Sequence, residues 1–164
     1  MTESIESAVT QLLDHHNIVY DVVTIPLTED KKPVRNLEER LRSEGRDPTS
    51  IIRSLLFRTG SGSFALLATV GGGKADWAAL RKQLAERKLT MAEFDEVKQA
   101  TGYVVGAVPP IALPADVTVL LDDTINNYQH VIIGSGVLGY ALSLTSADLK
   151  KMMPDVTTGH FTKQ

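Results

Sequence analysis

Two apolar runs across a glycine–serine turn limit the fold of this chain most. Ile51 to Thr59, with Leu55, Leu56 and Phe57, leads into Gly60-Ser61-Gly62, and Phe64 to Val70 follows. Short apolar runs on either side of such a turn predict a β-hairpin. Gly71-Gly72-Gly73 closes the second run, and the rest of the chain must be arranged around that pair of strands.

Upstream, Ile5, Ala8, Val9, Leu12 and Leu13 recur at helical spacing and predict an amphipathic helix that ends at His15-His16-Asn17. Ile18 to Ile25 is β-branched and aromatic and predicts a strand closed by Pro26. Leu27 to Pro33 reads as a loop, and a short helix runs from an Asn36 cap to Arg42, with Gly45 as its stop. Downstream, Asp76 to Leu84 predicts a helix with Trp77, Leu80 and Leu84 on one face. Thr90-Met91-Ala92-Glu93 has the spacing of a capping box and predicts a helix that buries Met91, Phe94 and Val97 and stops at Gly102. Thr101 to Pro110 then gives a strand-like Tyr-Val-Val run and the loop Gly106-Ala107-Val108-Pro109-Pro110.

Val117 to Leu121 and His130 to Ile133 predict strands joined by the polar turn Asp122 to Asn127, and Leu138 to Leu144 predicts another. Thr145 to Asp148 starts a last helix, and the tail from Pro154 reads as loose. Helices and strands are mixed without βαβ alternation. That order predicts an α+β fold, with a mixed, mainly antiparallel curved sheet or small barrel flanked by helices. The length of 164 residues suits one domain spanning 1–164.

With no cysteine, the chain has no disulfide, thiolate nucleophile or cysteine metal site, which suits a reducing, cytoplasmic setting. No segment approaches a membrane span, and the acidic start MTESIESAVTQLL is unlike a signal peptide. The net charge of −3 argues against indiscriminate nucleic-acid binding. Residues 31–58 nevertheless carry eight basic and four acidic side chains, a surplus of +4 against −7 elsewhere. That surplus describes a solvated face with internal ion pairs or a local phosphate-contacting surface.

Gly134-Ser135-Gly136-Val137-Leu138-Gly139 spells a dinucleotide fingerprint, but Tyr140 to Leu144 after it is strand-like, so a glycine-rich turn is expected there. Gly71-Gly72-Gly73-Lys74 lacks the first glycine and the final Ser or Thr of a phosphate loop; Lys74 stays a candidate phosphate contact. His15, His16, His130 and His160 do not share metal-ligand spacing, and Asp122-Asp123 lies where turns commonly carry Asp. No metal and no cofactor is expected. With so few nucleophilic groups, chemistry here would rest on backbone positioning and water.

Several stretches together resemble the YbaK/prolyl-tRNA-synthetase editing-domain family. Ser50 to Phe57 is similar to the family strand that carries a lysine near its start, and Arg53 stands at that lysine here. Val70 to Trp77 falls at the family's loop-to-helix segment. Glu96 to Pro110 follows its E-V-x-x-x-T-G-Y-x-x-G-x-x-x-P pattern, and Gly134-Ser135-Gly136 with Ala147-Asp148-Leu149 is similar to its closing section. The resemblance implies a deacylase of mischarged tRNA that removes a small wrong amino acid such as Ala or Cys. It implies that Gly106, Ala107, Val108 and Pro110 orient the ester, with Arg53, Gly102, Tyr103, Lys74, Gly134 and Ser135 as substrate contacts. The acceptor end of the tRNA is the implied partner, with an aminoacyl-tRNA synthetase as a companion. The other reading is a catalytically inactive module of the same fold that holds tRNA, a nucleotide or a synthetase; Arg53 is the residue that favours it.

Overall fold

A computed structural model describes residues 5–163; Met1 to Ser4 and Gln164, and with them the opening of the acidic N-terminus, lie outside the described residues. Ser7 caps α1 (Ala8–His15): its hydroxyl accepts from Thr10 N at 3.2 Å, and Thr10 Oγ1 accepts from Ser7 N at 2.9 Å. The helix buries Val9 and Leu13, as their spacing predicts. β1 (Asp21–Thr24) and α2 (Leu37–Ser43) follow, and Gly45 succeeds α2.

The predicted hairpin is present as β2 (Ile52–Thr59) and β3 (Phe64–Val70), antiparallel from Ile52↔Val70 to Arg58↔Phe64. Next come β4 (Lys74–Ala75), α3 (Trp77–Leu84) capped by Asp76, β5 (Leu89–Met91) and α4 (Phe94–Thr101). The second half holds β6 (Val117–Asp122), β7 (His130–Gly134), β8 (Tyr140–Thr145), α5 (Ser146–Lys151), β9 (Thr157–Gly159) and β10 (Thr162–Lys163).

The strands form a mixed five-stranded sheet in the order β5-β2-β3-β6-β9, an antiparallel three-stranded sheet β1-β8-β7, and the pair β10-β4. β6 runs parallel to both β3 and β9. The isolated bridge Ile51↔Ile132 joins the two larger sheets, and one apolar core lies between them, with Ile52, Leu56, Leu66, Ile133 and Leu142 from their inner faces. A second cluster of Phe57, Leu67, Leu80 and Phe161 fills the opposite face of the five-stranded sheet under α3. The fold is the expected α+β arrangement.

Three local expectations are corrected. Thr90 and Met91 belong to β5, because Arg58↔Thr90 and Phe57↔Met91 pair along the free edge of β2. The helix therefore starts later, with Glu93 as its cap and Glu96 Oε1 accepting from Glu93 N at 2.9 Å; Met91 and Phe94 are exposed. Tyr103 to Val105 forms no strand: Gly102, at φ +83°, ends α4 in the left-handed region and turns the chain directly into the loop. The tail from Pro154 is ordered by Asp122, a buried carboxylate that accepts from Phe161 N at 2.7 Å and from Thr162 Oγ1 at 3.1 Å. These bonds hold β9 and β10 in their sheets and bury Phe161.

Candidate active site

A cavity of about 540 Å³ opens between β2, β7, α4 and the Gly106 loop, with the segment between β1 and α2 closing one side. Its wall is mostly aliphatic. Lys31 and Arg53 are the charged residues on it, and no carboxylate, imidazole or thiol is among its described lining residues.

The wall facing the three-stranded sheet is set by the alternation of β2. Ile52 and Leu56 point into the inner core, and Ser54 lies between them on the same face. Its hydroxyl is buried and has no hydrogen-bond partner among the described residues. A hydroxyl in that condition costs free energy unless a ligand or water satisfies it. The signal in the sequence is one hydroxyl between two aliphatic residues at period two, Ile52 and Leu56.

Arg53 alternates to the other side. Its Nη2 donates to the carbonyl oxygen of Gly73, while Nε is buried without a partner. The residue that stands at the family lysine is thus tied to the glycine loop after β3 and still borders the cavity. Lys74, next to Gly73, is exposed on β4 opposite Lys163 and does not line the cavity.

The loop from Tyr103 to Ala112 is fixed by four contacts. Ala107 N donates to Val104 O at 3.1 Å, and Gly136 N donates to Ala107 O at 2.9 Å. Tyr103 closes the loop by donating its hydroxyl to Ala112 O at 2.6 Å, and burial pushes that hydroxyl's pKa up, so it stays a donor. Gly134 takes the loop backbone directly, since a Cβ there would lie 2.4 Å from Val108 O. Gly106, at φ +96°, stands where an L side chain would be strained, and a Cβ would meet Leu138 Cδ1 at 3.2 Å. Neither Gly106 N–H nor Val108 N–H has a backbone acceptor among the described residues. Both residues line the cavity, so these peptide donors are available to a ligand.

The remaining sequence candidates serve the frame. Ala107 is buried, with both peptide groups in use. Ser135 is buried too, its hydroxyl donating to Val137 O at 3.0 Å and Tyr140 O at 2.7 Å. Pro110, Gly102 and Tyr103 lie outside the cavity lining, which gathers Arg53, Gly106, Val108 and Gly134. Asp122, Asp123 and His160 bring ligand-type atoms within 4.8 Å of one another, but Asp122 is occupied by Phe161 N, Thr162 and Thr124.

The sequence profile of the family described as "Aminoacyl-tRNA editing domain" matches residues 31–152. The chain belongs to that family. Among relatives of the editing domain, an uncharacterized protein, YwhH of Bacillus subtilis, is 28% identical over 125 residues, 76% of this chain and 79% of its own length. A proline–tRNA ligase of Kosmotoga olearia is 28% identical over 93 residues, 57% of this chain. The matched region spans only 16% of that ligase's length. The crystal structure of a candidate trans-editing enzyme for prolyl tRNA synthetase superposes with a TM-score of 0.75 at 21% identity, covering 98% of this chain and 100% of that one, a likeness of fold. The family match supports an aminoacyl-tRNA editing role.

Proposed function

We propose that this editing domain is a free-standing trans-editing hydrolase. It deacylates mischarged aminoacyl-tRNA that carries a small wrong amino acid such as Ala or Cys. The observation that carries the reading is the cavity itself: apolar walls, two cations, unpaired peptide N–H groups at Gly106 and Val108, and no acidic, imidazole or thiol group on its described lining. Among its described lining residues such a site holds no carboxylate or imidazole to activate a hydroxyl as a nucleophile. It suits an ester, which is already activated and needs orientation and stabilisation of the developing oxyanion.

In this reading water attacks the ester carbonyl carbon, and the peptide donors hold the carbonyl oxygen as it gains charge. The bond to the ribose oxygen breaks, the neighbouring ribose hydroxyl relays a proton to the leaving oxygen, and the free amino acid and tRNA separate. Arg53 and Lys31 border the phosphate end. Gly134 and Tyr103 act by holding the loop in place. Such a reaction belongs in the cytoplasm with the charged tRNA, with an aminoacyl-tRNA synthetase as companion.

A second reading is favoured by one observation, the bond from Arg53 Nη2 to Gly73 O, which engages the guanidinium within the protein. It is a tRNA-binding module without catalysis. A deacylation panel over several mischarged tRNAs, with wild type, Arg53→Ala and Gly106→Val, separates the two. The hydrolase cleaves at least one substrate and both variants slow it. Binding of tRNA with no cleavage above the spontaneous rate selects the inactive module.

A further inference from the structure

Among the described residues, four large hydrophobic side chains are exposed: Val19, Met91, Phe94 and Val105. Three of them border the same cavity. Met91 is 46%, Phe94 72% and Val105 43% exposed, and they come from the end of β5, the start of α4 and the loop before Gly106. Exposed apolar residues scattered singly need no explanation, but a cluster at one mouth marks a binding surface.

The local structure gives no internal reason for an aromatic residue there. Phe94 is the first residue of α4, where the Glu93–Glu96 capping box already satisfies the helix start. Met91 is held by its strand pairing with Phe57. The backbone that carries these side chains is therefore fixed before a ligand arrives, which lowers the ordering cost of binding.

Charge narrows the occupant. Glu93 and Asp95 flank Phe94 and are exposed, so a phosphate is disfavoured directly over the ring. The cations on the cavity wall are Lys31 and Arg53. A ligand that presents an uncharged flat ring to Phe94 and a phosphate to the Lys31 and Arg53 side meets both conditions, and a nucleotide does so. Resting on the editing reading above, we propose that Phe94, flanked by Met91 and Val105, is the stacking platform for the terminal base of the tRNA acceptor strand. Stacking accepts any base, so this contact positions the ester without reading sequence.

The test is binding of a short CCA-type oligonucleotide whose terminal base is 2-aminopurine, read by fluorescence quenching and without any ester. Wild type quenches on titration. Phe94→Ala, at an exposed position with unchanged thermal unfolding, weakens binding about tenfold and abolishes quenching, as expected from the loss of one stacked base. Phe94→Trp restores both, and Val19→Ala behaves as wild type. Equal binding and quenching by Phe94→Ala overturns the proposal. So does absence of oligonucleotide binding together with self-association that Phe94→Ala dissolves, which would make the patch a contact between copies. Wild-type quenching without ester cleavage on any tRNA defeats the hydrolase reading and leaves the stacking platform intact. Cleavage with an unchanged KM in Phe94→Ala defeats the platform alone.

Discussion

Gly134 and Val108 meet through backbone alone: a Cβ on Gly134 would lie 2.4 Å from the Val108 carbonyl oxygen and 2.7 Å from its carbonyl carbon. The end of β7 is thus the seat of the Gly106 loop, and the residue type at 134 decides where the peptide groups of that loop point.

Substituting Gly134→Ala forces the loop off its seat, because the obstructing atoms are main chain and cannot rotate away. The expected loss of stability is about 1–3 kcal/mol, the usual range for overpacking. If the loop orients the ester, displacement of about 1 Å slows deacylation by about 100-fold. Urea unfolding and single-turnover hydrolysis measure the two effects separately. An unchanged rate removes the loop from the mechanism.

The Tyr103 hydroxyl spans the loop to Ala112 O. Tyr103→Phe keeps the ring against Gly136 and deletes only that donor, so the expected cost is about 1–2 kcal/mol. A slower reaction with little change in KM is expected, since Tyr103 lies outside the cavity lining. A variant as stable as wild type would show that the clamp carries no load.

Ser54→Ala removes a buried hydroxyl that has no partner. The protein alone is expected to gain up to about 1 kcal/mol, because an unsatisfied polar group leaves the interior. Deacylation is expected to slow in the same variant if the hydroxyl is held for the substrate. Thermal unfolding of the free protein checks the first outcome, and a loss of stability contradicts it.

His160 pairs with Asp123 at 3.1 Å, and this hydrogen bond and the Asp123 charge raise the imidazole pKa above its ordinary value of 6.5. A raised folded-state pKa means that the pair's stabilisation is complete below pH 6.5 and is lost as pH climbs through the folded value. Asp123→Asn should bring the His160 titration, followed by NMR, down toward 6.5 and flatten the stability profile in that window. A titration midpoint unmoved by Asp123→Asn contradicts the pairing.

Much of the fold was legible because its signals are local. The β2–β3 hairpin, the Gly102 stop of α4, the Asp76 cap of α3 and the Thr145 cap of α5 each depend on residues within a few positions of one another. The misread segments depend on partners far along the chain. Thr90 and Met91 have the local spacing of a helix start, but the open edge of β2 recruits them into a strand. The tail read as loose because its anchor, Asp122, lies about forty positions away and reads in sequence as an ordinary turn residue.

The site divides in the same way. The sequence by itself determined that a loop of glycine, alanine, valine and proline follows α4, and its TGY and G-x-x-x-P spacing carried the family resemblance. Tertiary structure alone decided which of the candidates share a cavity. It drew Arg53 to Gly73 O, buried Ser135 in its own turn, placed Ser54 on the cavity wall with its hydroxyl buried and left Phe94 at the cavity's edge. The reason is physical: a residue's type fixes what it can donate, accept or bury, while the packing of distant strands and loops fixes which partner it finds.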